Sequence, residues 1–238
     1  MALPSTFAKS VSNMAAEWMS GSPLSSSQMI EVESKFRVPP DFEKVLELKG
    51  AKLMRQTTFT DVYFDAPNHE LSLNGYWLRK RNNKWELKIQ KLKIERWIES
   101  NREIEDENEI INEIVTRLRS FYPNIDGDYT SVEDIVQRTS CKQIACITTN
   151  RAVYEMPNRV VVDLDQASFG YQVGELEVVV SNEKNVDSAK EAIQRTADFL
   201  GIECRSDIPS KLEKYIFSNC RSHHEQLVKC GFFVKQLK

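Results

Sequence analysis

From residue 29 onward the apolar positions follow two periods. Over "IEVESKF" (30–36), Ile30, Val32 and Phe36 fall in one register while Glu31, Glu33 and Lys35 fall in the other, which is the period-two pattern of a β-strand. After Pro39-Pro40 the run "DFEKVLELKGAKL" switches to helical spacing, with Asp41 as its expected cap and Gly50 as its stop. Strand patterns return at "TTFTDVYFD" (57–65), "YWLRKRNN" (76–83) and "KWELKIQKL" (84–92), the last two divided by the hairpin signal Asn82-Asn83. A further extended piece is expected at "ERWIES" (95–100). The acidic stretch 103–122 carries Ile110, Ile111, Ile114, Val115 and Leu118 at helical intervals, and 131–138 predicts another short helix. Strands follow at 145–156, 158–169 and 174–181. Over 186–202 Ala189, Ile193, Ala197 and Leu200 share one face of an amphipathic helix that Gly201 terminates, and a last helix is expected around 210–220. Many short strands with interspersed helices, lacking the regular alternation of a parallel sheet, give an α+β fold.

The polar register of these strands is charged, and the charges are sorted. Arg79 and Arg81 share a face with Trp77; Glu86 pairs with Lys88, Asp163 with Asp165, and Glu175 with Glu177. For any one strand the simplest account is a polar face in water. Acidic pairs and basic pairs on different strands, together with helices that need apolar sheet to cover, point instead to a strongly curved sheet whose charged faces turn inward as separate acidic and basic walls. Such a face is costly unless solvated or neutralised by a ligand. Carboxylates at 31, 33, 163, 175 and 177 suit a hard dication, Mg²⁺ first and Mn²⁺ second, whereas Lys35, Arg79, Arg81 and Lys88 suit a polyphosphate.

Composition narrows the field. With 238 residues, 41% of them hydrophobic, the chain can build a sizeable core, and a net charge of −3 gives no support to nucleic-acid or membrane binding through bulk basicity. No apolar run is long enough to span a bilayer. Residues 1–28 read as a Ser-rich disordered leader and 221–238 as a C-terminal tail, leaving 29–220 as the folded unit. The five cysteines show no metal-ligand spacing, so reduced thiols and a cytoplasmic location are expected; His69, His223 and His224 carry no motif. HExxH, P-loop and GxSxG signatures are absent.

The ordered set formed by ExExK (Glu31, Glu33, Lys35), RxR (Arg79, Arg81), WELK, the isolated Arg151, GELE and the late "PSKLEKY" resembles the CYTH family of triphosphate tunnel metalloenzymes, from about residue 29 to 215. The resemblance implies a closed eight-stranded antiparallel barrel with helices packed outside and Mg²⁺-dependent hydrolysis of a small triphosphate; a monomer is expected. Carried over by position, Lys35, Arg79, Arg81, Lys88, Arg151 and Lys211 would grip phosphates. Glu31, Glu33, Asp163, Glu175 and Glu177 would hold metal, with Glu31, Glu33 and Lys35 central to catalysis. Glu99 is a further candidate for the tunnel. The runs "YWLRKR…WELK" and "RVVVDLDQASFGYQVGELEVVV" look closest to the branch that acts on thiamine triphosphate in animals, and Trp77 would then stack on the organic group, with Tyr76 and Phe64 as weaker candidates. An inorganic tripolyphosphatase and a non-catalytic polyphosphate-binding module are the alternatives.

Overall fold

The computed structural model describes residues 29–90, 97–122, 125 and 127–235; the leader and Glu95-Arg96 of "ERWIES" lie outside that range. Eight strands occur in chain order as β1 (Ile30–Phe36), β2 (Lys52–Asp65), β3 (Tyr76–Arg81), β4 (Lys84–Gln90), β5 (Glu99–Ile104), β6 (Lys142–Glu155), β7 (Val161–Ala167) and β8 (Gln172–Val180). They close into an antiparallel barrel in the order β1-β5-β4-β3-β2-β6-β7-β8. Among the described residues six helices accompany them: α1 (Phe42–Leu48), α2 (Glu107–Leu118), α3 (Val132–Arg138), α4 (Val186–Leu200), α5 (Lys211–Asn219) and α6 (Arg221–Lys229). None of the helices among the described residues is long and apolar enough to cross a membrane.

The alternation read from the sequence decides which way each strand faces. Val32 and Phe36 of β1, with Val162, Leu164 and Leu176, are buried on the outside of the barrel under α1 and α4, where Ala189, Ile193, Ala197 and Leu200 meet them. Leu78, Leu87 and Ile104 are buried on the other flank under Ile110, Ile114 and Leu118 of α2 and Val132 and Ile135 of α3. With helices on the outer face, the alternate residues have only the lumen to point into. The Asn82-Asn83 turn has positive φ at both residues, 46° and 71°, as a type I′ hairpin requires.

Three local expectations are corrected. Asp41 does not cap α1: it sits at φ 55° with no side-chain cap bond, its carboxylate paired instead with Lys44 at 2.9 Å. The extended piece expected to end at residue 100 continues to Ile104, because Ile104 packs outward with Ile110 and Ile114, so the helix starts only after Asp106, whose side chain accepts from the Glu109 amide. Beyond 220 the chain forms α6, and Leu227, Phe232 and Phe233 are buried against the barrel.

Candidate functional site

Twelve side chains singled out in the sequence line one cavity of about 460 Å³: Glu31, Glu33, Lys35, Trp77, Arg79, Arg81, Lys88, Arg151, Asp163, Glu175, Glu177 and Lys211. Glu99 joins them. Phe64 and Tyr76, the weaker stacking candidates, do not, because their register turns them outward: Phe64 packs on Trp85 at 5.1 Å, and the Arg117 guanidinium lies over the Tyr76 ring at 5.0 Å.

Strand register fixes the neighbours. Glu33 sits opposite Glu177 and Lys35 opposite Glu175 on β8, and Glu175 is in turn opposite Asp163 on β7, so the carboxylates of β7, β8 and β1 form one continuous arc. The bases occupy β4, β3 and β6. They are not an unbroken basic wall, as the sequence suggested. Arg81 makes two bonds to Asp61 at 2.7 and 3.0 Å, and Arg79 donates to Glu86 at 2.7 Å and Glu103 at 3.3 Å. Arg151 is bidentate to Asp165 at 2.7 Å through both bonds and also contacts Asp163 and Glu175. Buried guanidinium groups need negative charge beside them. Lys88 spans to the acidic arc, donating to Glu31 at 2.6 Å and Glu33 at 3.0 Å, while Lys35 meets Glu33 at 2.7 Å and Glu99 at 3.1 Å. Ser210 caps α5, and its first residue, Lys211, reaches Asp165.

The electrostatics divide the carboxylates into two kinds. Burial would raise Glu33, but Lys35 and Lys88 outweigh it and hold the acid well below the usual range. Lys35 is likewise desolvated, yet Glu33 and Glu99 keep it firmly protonated. Elsewhere the lysines and arginines do not suffice. Burial pushes Glu31 up against the pull of Lys88, lifts Asp163 to about 6 against Arg151, and with Asp163 and Glu33 adding their repulsion lifts Glu177 to about 7. One buried oxygen of Asp163 has no hydrogen-bond partner. Nine carboxylates line the cavity against seven lysines and arginines. The acidic arc is therefore short of positive charge, and a hard dication of oxygen-ligand preference fits it.

Asp61, Glu103 and Asp165 escaped the sequence reading as site residues. Asp61 is one acid on an aromatic strand, in the same register as Phe59 and Tyr63; Asp165 stood in register with Asp163. Phe232 and Phe233, which also line the cavity, gave no signal at all.

The histidines also acquire a role. Asp65 accepts the amides of Ala66, Leu71 and Ser72; the Ser72 hydroxyl meets His223 Nε2 at 2.8 Å, and the His69 and His223 rings stack at 3.6 Å. This cluster fastens α6 to the loop between β2 and β3. Burial, with His69 and His224 adding to it, holds His223 down at about 4. A histidine lowered in the fold contributes stability that is complete above about 6.5 and lost as pH falls towards 4. Asp65 works in the opposite sense, since burial lifts it to about 6 and its protonation favours the fold. His223→Gln keeps a polar side chain without the titration, so its melting temperature is expected to fall less between pH 6.5 and 4 than that of the unaltered protein, with Asp65 common to both. Thermal unfolding across that range, followed by circular dichroism, measures the difference.

Comparison with known proteins adds the following. Residues 29–210 match the family model of the CYTH domain. The chain is 31% identical over 199 residues to the human protein named thiamine-triphosphatase, covering 79% of this chain and 84% of that one. Among solved structures, a conserved hypothetical protein of Pyrococcus furiosus aligns with a TM-score of 0.52 at 23% identity, covering 77% of this chain and 98% of that chain. A putative adenylyl cyclase from Hippeastrum, whose description credits it with a dominant triphosphatase activity, aligns at 0.51 and 20% identity over 79% and 96% of the two chains.

Proposed function

The chain belongs to the CYTH domain family, and we propose that it hydrolyses thiamine triphosphate to thiamine diphosphate and phosphate with Mg²⁺ as its metal. The observation that carries this reading is an under-neutralised carboxylate arc facing Arg79, Arg81 and Arg151 across one lumen. A polyphosphate with a dication satisfies both sides. A relative 31% identical that is named for this reaction supports the choice of substrate.

In the proposed arrangement Glu31, Glu33, Asp163, Glu175 and Glu177 hold the metal, which as a Lewis acid would withdraw charge from phosphate oxygens. Arg79, Arg81 and Arg151 give up their present carboxylate partners in part and turn donors toward phosphate oxygens, with Lys88 and Lys211 beside them. Lys35, locked in the charged state between Glu33 and Glu99, neutralises phosphate charge and cannot serve as a base. Water attacks the terminal phosphorus, the bond to the bridging oxygen breaks, and the diphosphate leaves as an anion that these cations stabilise. Trp77, buried at the lumen wall with its indole N–H on Gln90 Oε1 at 3.0 Å, would take the thiazolium or pyrimidine ring.

A second reading, an inorganic tripolyphosphatase on the same scaffold, is favoured by one observation: the Trp77 face is already stacked by Phe233. Phosphate release from thiamine triphosphate, tripolyphosphate and ATP, each with Mg²⁺ and with chelator, separates the two. Mg²⁺-dependent release greatest from thiamine triphosphate is expected. Preference for tripolyphosphate would replace the first reading by the second, and release from none of the three would end both.

A further inference from the structure

The chain beyond α6 turns back into the lumen. Gly231 at φ 84° makes the turn, the amides of Phe232 and Phe233 both reach the Leu227 carbonyl at 3.1 and 3.4 Å, and the Val234 amide donates to Glu213 Oε1 at 2.9 Å. Phe232 is seated on Gly75, where a Cβ would come within 2.7 Å of its ring. Phe233 lies parallel to the Trp77 indole, with centroids 5.4 Å apart and planes 3° apart, and both rings are buried. While α6 is fixed to the barrel by the buried His223, the arm after it is held by few bonds.

We propose that Phe233 is a specificity-determining residue, a built-in occupant of the Trp77 face that an aromatic cation carrying a polyphosphate must displace before it can stack there. The inference rests on the reading of Trp77 as the seat of the organic group. An inorganic polyphosphate needs no such displacement, because it carries no ring to seat on the Trp77 face that Phe233 occupies. The arm therefore charges a penalty selectively to substrates with an organic end. Its size is set by one stacked aromatic pair, which is on the order of a few-fold to tenfold in affinity.

Thiamine diphosphate and pyrophosphate serve as probes, their dissociation constants measured by calorimetry with Mg²⁺ for the unaltered protein, Phe233→Ala and Val234→Pro. The proline removes the amide that bonds Glu213 and loosens the arm without touching either ring. Both variants are expected to shift the affinity ratio towards thiamine diphosphate by about five- to tenfold, the scale of the lost pair. A ratio unchanged in both variants, or one shifted towards pyrophosphate, would overturn the proposal; the latter result would make Phe233 a second wall of the subsite. Melting curves establish that each variant is folded, and an unfolded Phe233→Ala leaves the decision to Val234→Pro. Failure of pyrophosphate to bind the unaltered protein would mark failure of the polyphosphate reading itself and would remove this inference with it.

Discussion

Glu33→Gln is expected to lower triphosphate turnover by about 100-fold or more, the usual consequence of deleting one group that shapes the electrostatics of a phosphoryl-transfer site. Glu33 is buried, accepts from both Lys35 and Lys88, and lies opposite Glu177 across the β1–β8 pairing. Glutamine keeps its volume and removes its charge. Lys35 keeps Glu99 and Lys88 keeps Glu31, so neither lysine is left buried without an anion. The acidic arc loses a ligand for the dication, and the neutralising lysines lose the acid that places them between arc and phosphate. Stability is expected to fall as well, because the charge that Lys35 and Lys88 hold on Glu33 favours the fold and glutamine removes it. Steady-state phosphate release measured beside a melting curve checks both halves. Turnover within threefold of the unaltered protein would remove Glu33 from the site.

Gly174→Ala is expected to damage the fold more than any single change in the lumen. Gly174 pairs with Phe36 across β1 and β8, and a Cβ there would lie 2.1 Å from the Phe36 ring. That ring is fully buried and packs edge-on against Phe42 at 5.3 Å, so it has no free volume to retreat into. Overpacking of this kind costs about 1–3 kcal/mol, and in a chain of this size about 2–4 °C of melting temperature is lost per kcal/mol. A fall on the order of 5–10 °C is therefore expected. The double variant Phe36→Leu with Gly174→Ala should recover part of it, since the two positions share one clash. A melting temperature within 2 °C of the unaltered protein, roughly the effect of one surface change, would contradict the packing seen at this crossing.

What was legible in the sequence was what repeats locally. Rows of charge at period two on 31–35, 79–81 and 175–177, the Asn82-Asn83 turn and the apolar face of 186–200 each declare themselves within a few residues, and together they give a curved sheet with its charged face inward; its closure with eight strands followed from the family resemblance. Pairing between the rows was not legible. Asp61 and Arg81 are bonded because β2 and β3 happen to align there, and nothing near either residue announces it. The β5–α2 boundary was misplaced because the isoleucines at 104, 110 and 114 serve one cluster from two kinds of element. Residues 221–235 were misread for a related reason. Their apolar side chains are few, and the partners that bury them, Ser72, Gly75 and Trp77, lie about 150 positions earlier in the chain.

Closure of the barrel sets the order of events during synthesis. The last seam joins β1 to β8, residues 30–36 to 174–180, so until the chain has been made that far both β1 and β7 present an open hydrogen-bonding edge. Such distant pairing is slow to form, because the loop between its ends must be ordered before any contact rewards it. The lumen and its carboxylate arc thus come into being together, in the last step of sheet assembly, and a chain stopped short of β8 carries Glu31, Glu33 and Asp163 in an exposed, adhesive sheet without the Glu175 and Glu177 that complete the arc.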